Sequence, residues 1–474
     1  MDSPATPGAA LEALAGQPQP AMLESSALDA RYGRYSILAC RPRAVLAVHE
    51  GVVRDGEGRR LPGETVLAAL GAALGRFRAE GREGQAPTPY GPGWIGYVGY
   101  EFGRYLERLP GRAVRDTSLP DVHLAFYDAV AVYDAIEKRW HLTWLDDGRG
   151  LSPAGEALRD VVLHAQPIEA GPIRAEEAPA AAMSAAAARS NFTPEEYRRA
   201  VGRCVEYIAA GDIFQVNLSQ RFTVPEAPEP LAIYQVLRRR NPAWYSAMLL
   251  LGESAVLCSS PELFLRLRGR KVLTRPIKGT RPRVGDPAAD AAAAAELVAS
   301  EKDNAELAMI IDLLRNDLGR VCRFGTVRVP NRRELETHPT VFHLVGSVVG
   351  ELREGIGPAE LLAATFPGGS ITGAPKIRAM EIIDELEGVA RGVYTGSVGW
   401  FGANGDAELN IVIRTVVWDH GTAYVQVGGG IVADSTPQGE YQETLDKARA
   451  LLEALAIAQG RAEHAPLRPP RTSA

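Results

Sequence analysis

Between residue 191 and about residue 460 the apolar residues recur first at helical spacing, then at strand spacing, and the switch repeats down the chain. A chain that keeps changing period has to lay helices against sheet, which confines it to the α/β and α+β classes. The first helix of this zone has a marked entry. Thr193 supplies an N-cap, Pro194 takes the first helical position and Glu195-Glu196 place acids in the first turn. Val201, Cys204, Val205 and Ile208 then form an apolar stripe, and Gly211-Asp212 ends it. The following IFQVNLSQRF alternates, with Gln215, Asn217 and Ser219 on one face and Phe214, Val216 and Leu218 on the other. Residues 1–145 read as short strands and hairpins (RYGRYSILACRP, AVLAVHEGVV, HLAFYDAVAVYD, RWHLTWLDDG). Residues 146–190, with GPIRAEEAPAAAMSAAAARS, read as an Ala/Pro-rich linker, and residues 461–474 as a flexible tail.

The 474 residues carry a formal charge of −6, which gives no electrostatic case for a nucleic-acid partner. No run of about 18 apolar residues is available to span a membrane, and the first twenty residues lack a basic and then apolar leader. The expectation is a soluble, cytoplasmic protein. Cys40, Cys204, Cys258 and Cys322 are scattered without a CxxC pair, so buried thiols are expected rather than zinc or a disulfide framework.

Two glycine-rich stretches invite nucleotide readings and fail them. Gly91, Gly93 and Gly96 spell G-x-G-x-x-G, but Pro92 and Trp94 interrupt it and no helical pattern follows. GGSITGAPK lacks the Gly-Lys-Ser/Thr ending of a phosphate loop. Other segments are more promising. The helix SEKDNAELAMIIDLLRNDLGRV, capped by Ser300, puts Glu306 on the same side as Leu307 and Ile310, so it should point into a partly buried pocket. A helix from Thr436-Pro437 to about 457 aligns Glu440, Glu443 and Lys447, where solvated ion pairing is an equally good explanation. Before it, Gly428, Gly429 and Gly430 could form an anion-binding nest or a tight turn. Two acid-bearing helices beside such a site suit Mg²⁺, which takes oxygen ligands and one or two carboxylates. In VLTRPIKGTRPR, Lys278 sits in a Pro-Ile-Lys-Gly-Thr turn near Arg275, Arg281 and Arg283. A nucleophilic amine there needs its pKa lowered by desolvation or by neighbouring cations, since at the ordinary value only about one in a thousand is neutral near pH 7.5. His343 lies in an apolar run, where a hydrogen-bonded core role is the commoner one. In ELNIVIRTVVWD strand alternation pairs Asn410, Val412 and Arg414 on one face, and a buried Arg414 would need an anion.

Taken in order, FQVNLSQRF, SSPELFL, RPIKGTRPR, SEKDNAELAMIIDLLRNDLGRV, FHLVGSVVG, FPGGSITGAPK, YTGSVGW, IRT and GGGIVADSTPQGEYQET resemble the chorismate-utilising enzymes, densely over about 191–458. That family includes anthranilate synthase component I, aminodeoxychorismate synthase component I and the isochorismate and salicylate synthases. The resemblance implies the anthranilate synthase component I-like fold, α/β (α+β), with two stacked β-sheets flanked by helices. Anthranilate synthases typically carry alanine where Lys278 stands, and isochorismate-type enzymes a lysine where Gln215 stands. The pair Lys278 and Gln215 therefore resembles the aminodeoxychorismate synthase branch, which aminates chorismate on the way to 4-aminobenzoate and folate.

By that resemblance Lys278 is the nucleophile, Glu262 the acid and His343 an active-site histidine. Glu306 and Glu443 would bind Mg²⁺, with Glu440 acting through water. Gly279, Thr280, Tyr394, Arg414, Gly428, Gly429, Gly430 and Lys447 would contact substrate. Ammonia would come from a separate glutamine amidotransferase subunit. Ser25, with Tyr245 and Ser246, approximates the tryptophan pocket of some family members, making a bound tryptophan a further candidate. The alternatives are anthranilate synthase component I and a non-catalytic chorismate or tryptophan sensor.

Overall fold

The computed structural model describes residues 1, 3–61, 65–79, 87–148, 150–166, 188–338 and 341–463, with side chains to residue 460. It contains two eleven-stranded sheets, each a path of ten strands with one more beside it: Arg189–Ser190 pairs with Gln215–Val224 in the first, and Arg328–Thr337 with Val341–Glu351 in the second. The first runs from the bridge Gly373–Ala374 through Gln215–Val224, Thr422–Ile431, Thr415–Asp419, Ser254–Ser260, Tyr245–Leu250, Ala21–Glu24, Tyr35–Ala39 and Ala129–Asp134 to Arg139–Trp144. The second runs from Ile277–Pro282 through Val341–Glu351, Lys271–Arg275, Leu263–Arg268, Ala407–Asn410, Ser397–Gly402, Gly93–Val98, Val122–Tyr127 and Ala44–His49 to Val52–Asp55. Ile37, Val130, Val256 and Cys258 of the first sheet pack against Ile95, Tyr97, Val398 and Trp400 of the second, so the sheets are stacked on a shared core. Helices Pro194–Ala209, Lys376–Leu386 and Pro437–Glu463 cover the outside of the first sheet, and helix Glu301–Gly319 packs on the second. This is the two-layered, helix-flanked architecture the resemblance implies.

The boundaries drawn from composition need correction. The strand-rich region 1–145 is not a separate unit. Ala21–Glu24 pairs with Tyr245–Leu250, and Gly93–Val98 pairs with Ser397–Gly402, so both sheets are completed by strands from both ends of the chain. Either part alone would leave long unpaired edges. The zone read as linker from 146 contains the helix Pro153–His164, capped by Ser152, which buries Ala154, Leu158 and Val162. Ala154, Leu158 and Val162 stand at helical spacing, which the Ala/Pro-rich composition of the rest of the 146–190 zone obscures. The remainder of the expected linker, 167–187, and the tail beyond 463 lie outside the described residues. The last helix passes its expected end near 457 and runs to Glu463.

Several local expectations hold. Thr193 and Glu196 form a reciprocal capping box. Gly93 and Gly96 belong to a packed strand, where a Cβ on Gly96 would lie 2.0 Å from the His123 carbonyl oxygen. All four cysteines are buried and unpaired. No described helix is long and apolar enough to cross a membrane.

Candidate active site at the sheet crossovers

Two of the places where the chain crosses between the sheets are neighbours. Ser254–Ser260 hands over to Leu263–Arg268 across Pro261-Glu262, and Ala407–Asn410 hands back to Thr415–Asp419 across 411–414. The Ile411 N–H donates to the Glu262 carbonyl at 3.0 Å, which ties the two crossovers together. The single strand expected over ELNIVIRTVVWD is therefore broken. Ile411 enters the second sheet's outer core, Val412 the core between the sheets, and Arg414 adopts φ +51°. Off the ladder, Glu262 turns to Ser370 and Lys278, and Arg414 comes within electrostatic reach of His343.

Lys278 lies on the strand Ile277–Pro282 rather than in a free turn. The register against Val341–Glu351 shifts between Lys278 and Thr280, at Gly279, whose φ is +77°. A Cβ there would stand 2.7 Å from Leu297 Cδ1 and 2.9 Å from Asp303 Cγ, so glycine is required at this bulge. Lys278 Nζ donates to the Ser370 carbonyl at 3.3 Å, and the Ser370 hydroxyl donates to Glu262 Oε1 at 2.7 Å. The charges Lys278 faces are those of Glu306, Glu262, Lys447 and Glu443. Burial lowers its pKa against the pull of the carboxylates, with Lys447 assisting. The neighbouring arginines expected to depress it do not: Arg275 is paired with Glu336, Arg281 with Glu296 and Asp303, and Arg283 with Asp290. Glu262 is buried, and desolvation pushes its carboxyl up to about 7 despite Ser370 and Lys278. A buried acid near neutrality beside an amine with a lowered pKa can donate a proton while the amine attacks.

Glu440 and Glu443 of the last helix lie against the strand Thr422–Ile431, and Glu306 of helix Glu301–Gly319 is within electrostatic reach of Glu443 and Lys278. The strand's glycines form neither a nest nor a turn; they lie in extended pairing, with Gly430 opposite Asn217 and Gly428 opposite Ser219. What they provide is room. A Cβ on Gly429 would be 3.0 Å from Glu440 Oε2 and 3.4 Å from Glu443 Oε1, and one on Gly430 would be 2.4 Å from Gln215 Nε2 and 3.4 Å from Lys278 Nζ. Glu440 is buried; Ser435 donates to its Oε1 at 2.6 Å and its Oε2 has no partner among the described residues. Burial raises the carboxyls of Glu440 and Glu306, while at Glu443 it is outweighed by Lys447, 2.6 Å away. Lys447 also donates to the Gly428 carbonyl at 2.9 Å. Among the described residues no three acids, histidines or cysteines stand close enough to hold an ion unaided. An orphaned buried carboxylate oxygen and hard donors from two helices nevertheless fit Mg²⁺, which completes its shell with water and an anionic ligand.

His343 is buried; its Nδ1 bonds Thr280 Oγ1 at 2.9 Å, its Nε2 has no partner among the described residues, and burial keeps the ring neutral. Burial lowers Arg414 to about 10, and its guanidinium has no acid or hydrogen-bond partner among the described residues, as an anion site requires. Tyr394 is buried against Arg391, and the adjoining Thr395 N–H donates to the Val412 carbonyl of the second crossover. Ser25, Tyr245 and Ser246 do not join this site. They line a separate cavity of about 80 Å³ with Tyr32, Trp244 and Glu408, where Tyr32 stacks on Trp244 at 5.5 Å. That free volume is far below the roughly 300 Å³ at which ligand pockets begin. Reading residue by residue missed Ser370, because GGSITGAPK was weighed only as a phosphate loop; the signal available was its place in the ordered motif series.

A family model described as chorismate binding enzyme matches residues 27–453. Aminodeoxychorismate synthase component 1 of Bacillus subtilis (strain 168) is 39% identical over 437 residues, covering 91% of each chain. Anthranilate synthase component 1 of Pseudomonas putida is 40% identical over 456 residues, covering 94% of this chain and 92% of that one. The crystal structure of anthranilate synthase component I from Streptococcus pneumoniae TIGR4 superposes with a TM-score of 0.75 at 30% identity, covering 90% of this chain and 93% of that chain.

Proposed function

The chain belongs to the chorismate-binding enzymes, and from that premise we propose that it aminates chorismate at C4, releasing water and giving 4-amino-4-deoxychorismate. Overall similarity does not choose between amination at this position and anthranilate formation, since relatives of both kinds lie near 40% identity. The observation that carries the reading is Lys278, whose amine shares the Ser370 turn with the acid Glu262. An alanine at that position could not act as nucleophile.

In this reading the neutral Lys278 amine bonds to C2 of the ring as the double bonds shift. Glu262 gives its proton to the C4 hydroxyl, which leaves as water. Ammonia then adds at C4 as the C2–nitrogen bond breaks, returning Lys278 to its amine, and the extra proton on the new C4 nitrogen passes back to Glu262. The covalent step divides one difficult displacement into two easier ones. Glu306 and Glu443, with Glu440 through water, would hold Mg²⁺, which when bound neutralises the ring carboxylate. Arg414 and Tyr394 would receive the second carboxylate, and His343 orients Thr280. Ammonia would be delivered by a glutamine amidotransferase subunit, in the cytoplasm, for 4-aminobenzoate and folate synthesis. The test is product analysis with chorismate, Mg²⁺ and ammonium, with and without such a subunit. The expected product is 4-amino-4-deoxychorismate. Fluorescent anthranilate would overturn the reading in favour of the first alternative, and tight chorismate binding without turnover in favour of a sensor.

A further inference from the structure

Ser370 touches both members of the acid–amine pair from outside their own segments, while the Ile277 N–H, next to Lys278, also donates to the Glu262 carboxyl. The Ser370 hydroxyl donates to Glu262 Oε1 at 2.7 Å and its backbone carbonyl accepts from Lys278 Nζ at 3.3 Å. We propose that Ser370 is a positioning residue that fixes the Glu262 carboxyl in orientation, directing the acid's proton to Oε2, while its backbone holds the amine alongside. The inference deepens the proposed reaction and rests on it for the role of Glu262.

The turn is held from several sides. Gly368 lies so close to the second crossover that a Cβ would meet Ile411 Cδ1 at 2.8 Å, and a Cβ on Gly369 would meet Leu313 Cδ2 at 2.5 Å. Arg391 donates to the Ile371 carbonyl at 2.9 Å, and Lys376 anchors the far end on Asp317 at 2.7 Å and the Thr365 carbonyl at 2.9 Å. A turn packed this way cannot drift, so its serine presents a donor at a set point. A carboxyl oxygen that accepts a hydroxyl proton acts as the carbonyl oxygen of the acid, which leaves the proton on the other one. The same donor, first among the lowering influences and joined by Lys278 and the Ile277 N–H, favours the ionised form and holds Glu262 lower than burial alone would. The charged groups around the pair are Lys278 on its own strand, Glu306 on helix Glu301–Gly319, and Glu443 and Lys447 on helix Pro437–Glu463.

Substitution separates the two arms, because Ser370→Ala removes the hydroxyl and keeps the carbonyl. The test follows the Glu262 carboxyl in the full chain by carbon NMR titration, with Glu262→Gln assigning the signal. In Ser370→Ala the midpoint should rise by about one to two pH units, the worth of a hydrogen bond to a charged group. In turnover assays the alkaline limb of kcat should move up equally, while kcat on the acid side falls at least tenfold (about 1.4 kcal/mol). Ser370→Cys, of similar volume with a weaker donor, should lie between, and it carries the test if the alanine variant does not fold. A Glu262 midpoint unchanged in the folded variants overturns the proposal. The titration needs no chorismate, so its failure is distinct from finding a different product.

Discussion

Glu262 should cost the protein stability above neutral pH, and Glu262→Gln should recover it. The side chain is 4% exposed, and its carboxyl is pushed from the usual 4.5 to about 7, chiefly by desolvation. At 1.36 kcal/mol per pH unit that rise is worth roughly 3 kcal/mol. The folded chain binds this proton more tightly than the unfolded chain. The contribution is therefore fully present below about pH 4.5, is lost as pH rises through about 7, and is absent at pH 8. Glutamine keeps an oxygen for the Ser370 hydroxyl and does not ionise. Losing the attraction of Glu262 for Lys278 works against the gain, so about 3 kcal/mol is a ceiling. The assay is urea unfolding of both proteins at pH 5 and pH 8, comparing the change between the two pH values. The variant should lose less stability than the parent over that interval, and turnover should vanish with the acid. Equal losses in the two proteins would refute the buried, high-pKa acid and the proton donor built on it.

Lys278→Ala should abolish amination while chorismate affinity, read by calorimetry, changes less than about threefold; full activity would remove the nucleophile assignment. Gly430→Ala would bring a methyl to 2.4 Å from Gln215 Nε2 and 3.4 Å from Lys278 Nζ. Both neighbours are flexible side-chain ends, so the fold should survive with the melting temperature nearly unchanged while kcat falls at least tenfold; normal kcat would mean that the amine does not occupy this space. Glu306→Gln should weaken Mg²⁺ binding at least tenfold in a calorimetric titration with chorismate present, since each carboxylate carries much of such a site's charge. Unchanged Mg²⁺ affinity would place the ion elsewhere.

What was legible in the sequence followed from local physics. Ser300 and Thr193 announce helices because a side-chain oxygen satisfies an otherwise unpaired N–H, and Leu307 and Ile310 orient Glu306 because the helical repeat leaves few choices. Lys278 stood out by chemistry, yet its environment was misjudged. Nearby arginines in sequence suggested cationic depression, but each is neutralised by an acid from another element, and burial does the work instead. The glycine run was misread for a related reason. No local rule separates a glycine that bends the backbone from one that clears space for a carboxylate brought from a helix ten residues later. The broken strand at 411–414 shows the limit most clearly. Its alternation is genuine, but Ile411 and Val412 belong to different cores, a fact fixed only when the two sheets stack. The residues that matter most for the chemistry, Glu262 and Arg414, sit at such crossovers. They are hardest to place from periodicity because catalysis needs side chains that leave the sheet's two-residue repeat.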